Sequence, residues 1–171
     1  MEFAVATEEH LDRLCEMTDQ AKRRLRDLGI DQWQQGYPSR ETWARDIEEG
    51  SARVAVENGA VLGVLAFKTG ADPSYGLIDG AWLTSGDYAS LHRVCVAGES
   101  VGAGVAGALF AHAFQLARDL ELPSVRIDTH PGNRPMLRAL EKAGFARCGQ
   151  IRLVGGLEDG ALRIAFEKVL A

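Results

Sequence analysis

From Ser100 to Ala117 the chain carries no charged side chain, and the stretch opens on three glycines, at 102, 104 and 107. Its length approaches that of a bilayer span, but the glycines, His112 and Gln115 interrupt the apolar run, so a buried helix with a glycine-rich entry explains it better. Leu109, Ala113, Leu116 and Leu120 supply the apolar stripe of that helix. Its entry, Gly102-Ala103-Gly104-Val105-Ala106-Gly107, is a G-x-G-x-x-G placed after a strand and before a helix. Small residues there let backbone approach a pyrophosphate, and unpaired N–H groups with the helix dipole supply positive potential.

The flanking pattern alternates strands and helices. Phe3 and Val5 mark a short first strand, and Thr7 with Glu8 and Glu9 reads as a helix N-cap with acids in its first turn. Leu11, Leu14, Thr18, Ala21, Leu25 and Leu28 continue at helical spacing until Gly29. Residues 30–38 read as a loop, Ser39 as the cap of a second helix ending near Gly50, and Asn58-Gly59 as the turn of a hairpin between strands 52–57 and 61–68. Residues 70–89 form an irregular excursion, and strand 90–96 precedes the glycine turn. Val125, Ile127 and Thr129 make another strand, Asn133-Arg134-Pro135 starts a helix stopped by Gly144, and a terminal hairpin ends the chain. This mixture predicts an α+β (mixed α/β) fold in one domain, 1–171.

Composition narrows the partners. With 24 acidic against 19 basic residues the net charge is −5, which disfavours nucleic acid, and the basic cluster Lys22, Arg23, Arg24, Arg26 reads as a solvated helix face. The start Met-Glu-Phe-Ala has no signal-peptide pattern, so a cytoplasmic protein without a membrane partner is expected. Cys15, Cys95 and Cys148 are odd in number and widely spaced, predicting free thiols and no metal site.

Two pyrophosphate ligands fit the turn. A dinucleotide is favoured by Asp128, 21 residues beyond Gly107, where a ribose-binding acid belongs. Against it, five residues separate the strand from Gly102, and the 64 residues after Gly107 leave no room for a second mononucleotide-binding half. A helix start shaped only for tight packing is a third reading.

Leu91-His92-Arg93-Val94-Cys95-Val96 with Ala97 to Leu109, then Asn133-Arg134-Pro135-Met136 to Gly144-Phe145, resembles the GNAT superfamily of N-acetyltransferases. The family's Arg/Gln-x-x-Gly-x-Gly/Ala falls on Val101-Gly102-Ala103-Gly104-Val105-Ala106 with its first position unmatched, and Leu140 stands where the family usually has tyrosine. The resemblance implies a three-layer fold with a central, mostly antiparallel twisted sheet of about seven strands and about four helices. It implies acetyl-CoA held by Val94, Cys95 and Val96, by Val101 to Gly107, and by Asn133 and Met136. Direct acetyl transfer to a primary amine of a small molecule or peptide would follow, in a monomer or homodimer. The alternative is a coenzyme-binding module of the same fold with little or no turnover, suggested by Val101 and Leu140.

An ammonium must lose a proton before it attacks a thioester. His92, expected on the strand face of Val94 and Val96 with Cys95 opposite, is the candidate base; Asp128 and His130 are weaker candidates, and Glu99 is expected to face solvent. Trp33, Tyr37 and Trp82 lie in the irregular segments that would border the acceptor, where aromatics attract cations or anchor loops.

Overall fold

The computed structural model describes all 171 residues. The chain runs β1 (Glu2–Val5), α1 (Leu11–Asp27), α2 (Arg40–Glu48), β2 (Ala52–Glu57), β3 (Ala60–Thr69), β4 (Asp79–Gly80), β5 (Ala89–Val96), α3 (Val105–Asp119), β6 (Ser124–Thr129), α4 (Arg134–Lys142), β7 (Ala146–Arg152) and β8 (Leu162–Val169). The expected signals locate their elements. Ser39 accepts from the Thr42 amide at the start of α2, and Asn133 from the Met136 amide at the start of α4. Asn58 and Gly59 both take positive φ, 51° and 79°, as a tight two-residue hairpin requires. The four helices are as expected; the eighth strand is the two-residue β4, which the excursion contributes by pairing with β7.

One sheet of order β1-β2-β3-β5-β6-β8-β7-β4 organises the molecule. Every neighbouring pair is antiparallel except β5 and β6, so the paired βαβ halves of a dinucleotide-binding sheet are absent. The parallel pair holds only at Ala89↔Val125 and Ser90↔Arg126; beyond that the strands part. Apolar side chains cover both faces. Leu65, Leu91, Val125, Ile127 and Phe166 meet Leu109, Phe110 and Phe114 of α3 and Leu140 of α4 on one face. Val54, Val64 and Cys95 meet Leu14 and Met17 of α1 and Trp43 of α2 on the other. The α3 face is packed closely enough that a Cβ at Gly63 would lie 2.7 Å from Val105 Cγ1.

Between β3 and β5, Val64 pairs with Cys95 but Ala66 pairs with His92, so Arg93 and Val94 stand opposite Leu65 alone. This is a β-bulge, with Arg93 at φ 54°. Leu91 packs under α3, whereas Cys95 packs under α1; in a regular strand residues four apart share a face. The inserted residue therefore reverses which side chains face which layer.

Beyond β6, the excursion is tied down by a buried carboxylate. Glu167, fully buried on β8, accepts from the Leu83 and Thr84 amides, the Thr84 and Ser124 hydroxyls and Arg126 Nε. The Arg126 guanidinium lies 4.3 Å from the Trp82 ring centre and 4.0 Å from that of Tyr88. Burial pushes the Glu167 carboxyl up, but the donated bonds outweigh it and hold it below the ordinary value. Its stabilising contribution is therefore complete above the unfolded carboxyl pKa and is lost as pH falls through the lower folded value. Glu167→Ala leaves Arg126 buried without its partner and should cost about 3–5 kcal/mol in urea unfolding; an unchanged midpoint would remove this network from the account.

Candidate active site

Where β5 and β6 part, a cleft of about 1080 Å³ runs from the start of α3 to the loop after α1. From Leu91 to Val96, β5 has a β3 neighbour on one side and none on the other. Val94 and Val96 line the cleft and pack on the α3 side of the sheet. Cys95 contributes backbone here, since its thiol points to the α1 layer.

The glycine turn forms the far wall. Gly102 and Gly104 take φ of 84° and 81°, conformations costly for any residue with a Cβ. Gly104 is the left-handed N-cap of α3, and the amides from Gly104 to Gly107 have no carbonyl partner in the protein. Cβ atoms at 102, 104 or 107 would meet nothing within 4 Å, so the space before these amides is open. Such a row of free N–H groups at a helix start suits a phosphate. Two expected contributors differ. The Ala103 amide donates back to Ser100 O at 3.1 Å and the residue lies outside the cleft lining; the Val101 amide already donates to Gly98 O, at a long 3.4 Å. Lys142 brings one cationic group to the lining and Arg24 another; Arg24 belongs to the basic run expected to be a solvated helix face, but it is half-buried here, with Nη2 donating to Val96 O at 2.8 Å.

Asn133 and Met136 both line the cleft. Asn133 Nδ2 also donates to Gln32 Oε1 at 3.0 Å, joining α4 to the loop after α1. In that loop Trp33 takes φ 62° and its amide donates to Glu158 Oε2 at 2.9 Å, while Glu158 also pairs with Arg163 at 3.1 Å. Tyr37 accepts from Arg93 Nη1 at 2.8 Å; Arg93 uses Nε and Nη2 on Asp46 at 2.7 and 2.8 Å. Burial pushes the Tyr37 hydroxyl up against the opposing pull of Arg93. Trp33 and Tyr37 therefore border the cleft as expected, but Trp82 does not. Trp82 packs on Arg126, with Nε1 donating to Tyr75 O at 3.0 Å.

His92 lines the cleft, but not on the face expected from simple alternation. The bulge leaves Val94 and Val96 toward α3 while His92 stands with Ser90 on the opposite face, the one to which Arg93 and Cys95 also turn. There His92 Nε2 lies 3.1 Å from Asp72 Oδ2 and 3.1 Å from Ser90 Oγ. Asp72 was not foreseen. The run Asp72-Pro73-Ser74 signals a capped turn, and Asp72 Oδ1 does accept from the Ser74 amide at 2.8 Å, but nothing local announces a contact with a strand twenty residues on.

Asp128 also reaches the cleft, half-buried, with Tyr75 Oη donating to Oδ2 at 2.7 Å. Burial pushes its carboxyl up, opposed by the Tyr75 bond. His130 uses both ring nitrogens, on Asp31 at 3.0 Å and on the Gly132 amide at 2.9 Å, which makes it a loop anchor. Glu99 is exposed and paired with Arg13. Leu140 is fully buried in the core under α3 and does not line the cleft. No group of three or more potential metal ligands occurs, and no helix is long and apolar enough to cross a membrane.

A sheet opened beside a bulged strand offers a backbone edge to an extended ligand, and the free amides at the following helix start suit an anion. The acetyltransferase (GNAT) family model matches residues 13–145, and the chain belongs to that family. A GNAT-family acetyltransferase from Streptococcus agalactiae superposes with a TM-score of 0.88 at 29% identity, covering 99% of this chain and 95% of that one. The ribosomal-protein-alanine N-acetyltransferase of Brucella melitensis gives 0.72 at 20% identity, covering 99% and 100%. The Salmonella typhimurium protein yncA, solved with its cofactor acetyl-CoA, gives 0.70 at 16% identity, covering 100% and 94%. The last two likenesses concern the fold alone. No curated protein matches the sequence.

Burial also decides the thiols. Cys95 is 2% exposed and its thiol is pushed up to about 12, whereas Cys15 and Cys148 are only partly covered. A chromogenic disulfide reagent should titrate two thiols in the native protein and a third only after unfolding; rapid reaction of all three would contradict this packing.

Proposed function

We propose that this single domain, residues 1–171, transfers an acetyl group directly from acetyl-CoA to a primary amine of a small molecule or peptide. The observation that carries the reading is the conjunction of free amides at Gly104 to Gly107 with an unpaired β5 edge in one cleft. Coenzyme A presents a pyrophosphate, which suits the amides, and an amide-bearing arm, which can take the place of a strand beside Val94 to Val96. Gly102, Gly104, Val105, Ala106 and Gly107 would hold the pyrophosphate, with Arg24 and Lys142 offsetting charge that Val101 cannot. Asn133 and Met136 would border the arm.

The acceptor would enter between Trp33, Tyr37 and His92. Its nitrogen attacks the acetyl carbonyl carbon, a C–N bond forms, and the C–S bond breaks to release a thiolate. Of the two protons an ammonium loses, His92 takes the first and passes it to solvent; the second neutralises the thiolate through water. Leu140 offers no hydroxyl for that last step, but a thiolate is a tolerable leaving group near neutral pH. A cytoplasmic site of action is supported by three free cysteines.

A thiol-release screen with acetyl-CoA over amines, polyamines, amino acids, aminoglycosides and peptide N-termini should identify an acceptor. On that acceptor, His92→Ala should lower turnover about 10²- to 10⁴-fold, the scale of a positioned base, with acetyl-CoA affinity in calorimetry nearly unchanged. Parental turnover in this variant would remove His92 from the mechanism. Coenzyme binding with no release on any acceptor would leave the binding-module alternative.

A further inference from the structure

We infer that Asp72 is a positioning residue for transfer, holding His92 in the tautomer that leaves Nδ1 as the sole proton-accepting nitrogen. The inference rests on the proposed role of His92 and adds a residue and a ring atom to it.

Asp72 is itself fixed from three directions. Its backbone amide donates to Tyr88 Oη at 2.7 Å, its Oδ1 accepts from the Ser74 amide at 2.8 Å, and its Oδ2 lies 3.1 Å from His92 Nε2. The segment carrying it is tied to the sheet by Tyr75, whose ring stacks near that of His92 with centres 6.4 Å apart. Asp72 is half-buried, and burial pushes its carboxyl up; the bonds from His92 and from the Ser74 amide oppose burial, and the carboxyl is held below the ordinary value. An ionised carboxylate only accepts hydrogen bonds. Nε2 therefore carries the proton, directed at Oδ2 with Ser90 Oγ as a second acceptor at 3.1 Å. Nδ1 is left with its lone pair and has no partner in the protein.

The other charged groups around this ring are committed elsewhere. Arg93, next on β5, is bound to Asp46 and Tyr37. Asp128 on β6 is bound to Tyr75, and Lys68 on β3 pairs with Asp46 and Glu49. Asp72 is thus the only carboxylate in contact with His92. When Nδ1 takes a proton from the acceptor ammonium, the acceptor's N–H bond breaks, an Nδ1–H bond forms, and the resulting cation faces the Asp72 carboxylate. Tyr37, Asp72, His92 and Arg93 line both the main cleft and a second, polar cavity of about 630 Å³, so the dyad borders space that an acceptor can enter.

Nitrogen-15 NMR of the free protein tests the tautomer without an acceptor, and Asp72→Asn and Asp72→Glu test its use. The parent should show His92 protonated at Nε2 when neutral. Asp72→Asn, whose amide can donate to Nε2, should shift the ring toward the Nδ1–H form. Turnover should fall about 10²-fold, within the range a positioned base contributes, with the acid limb of the pH–rate profile moved to lower pH and acetyl-CoA affinity within about twofold of parent. Asp72→Glu should recover part of the turnover. A parental tautomer, or parental turnover and pH profile, in a folded Asp72→Asn would overturn the inference. If His92→Ala loses turnover while Asp72→Asn does not, only the role of Asp72 fails; if His92→Ala keeps turnover, the base assignment fails first.

Discussion

The site depends on one ion pair. Arg93 sits at φ 54° in the β5 bulge, and its guanidinium is held by both oxygens of the buried Asp46 on α2. The bulge bends β5 three residues past its last pair with β6, at Ser90, within the stretch whose edge beside Val94 to Val96 is open. It also turns His92 away from Val94 and Val96 toward Asp72. Arg93 further donates to Tyr37, so the same side chain joins the bulge to an aromatic that lines the cleft.

The loops around the cleft have little regular structure and are fastened by buried or half-buried charge. Glu158 joins Arg163 to the Trp33 amide, Asn133 joins α4 to Gln32, and Glu167 gathers the segment after β4 onto β8 with Arg126 between two aromatic rings. Each carboxylate accepts bonds from donors far away in sequence. Such pairs are costly to break from one side, because the abandoned charge stays buried. That gives irregular segments a defined shape while the sheet beneath supplies most of the apolar burial.

Features governed by neighbours in the chain were legible from the amino acids alone. Asn58-Gly59 specifies its hairpin turn, Ser39 and Asn133 mark the starts of their helices, and the glycines from 102 to 107 mark the entry to α3. Features governed by pairing across the sheet were not. Alternation along 90–96 places His92 with Val94, because a bulge leaves no mark in strand periodicity; only the β3 register reveals it. Asp72 reads as a turn residue, Trp82 as a pocket aromatic, and Ala103 as one more amide in the cradle. Their actual partners, His92, Arg126 and Ser100 O, are settled by the packed chain.

The central claim is that one cleft joins the open edge of β5 to the free amides at the start of α3. Amide hydrogen exchange with and without acetyl-CoA measures it directly. The account predicts slowed exchange at Val94, Val96, Gly102 and Gly104 to Gly107, with β7 and the β2–β3 turn unaffected. Slowed exchange confined to another region, or none at these amides at saturating acetyl-CoA, would contradict it.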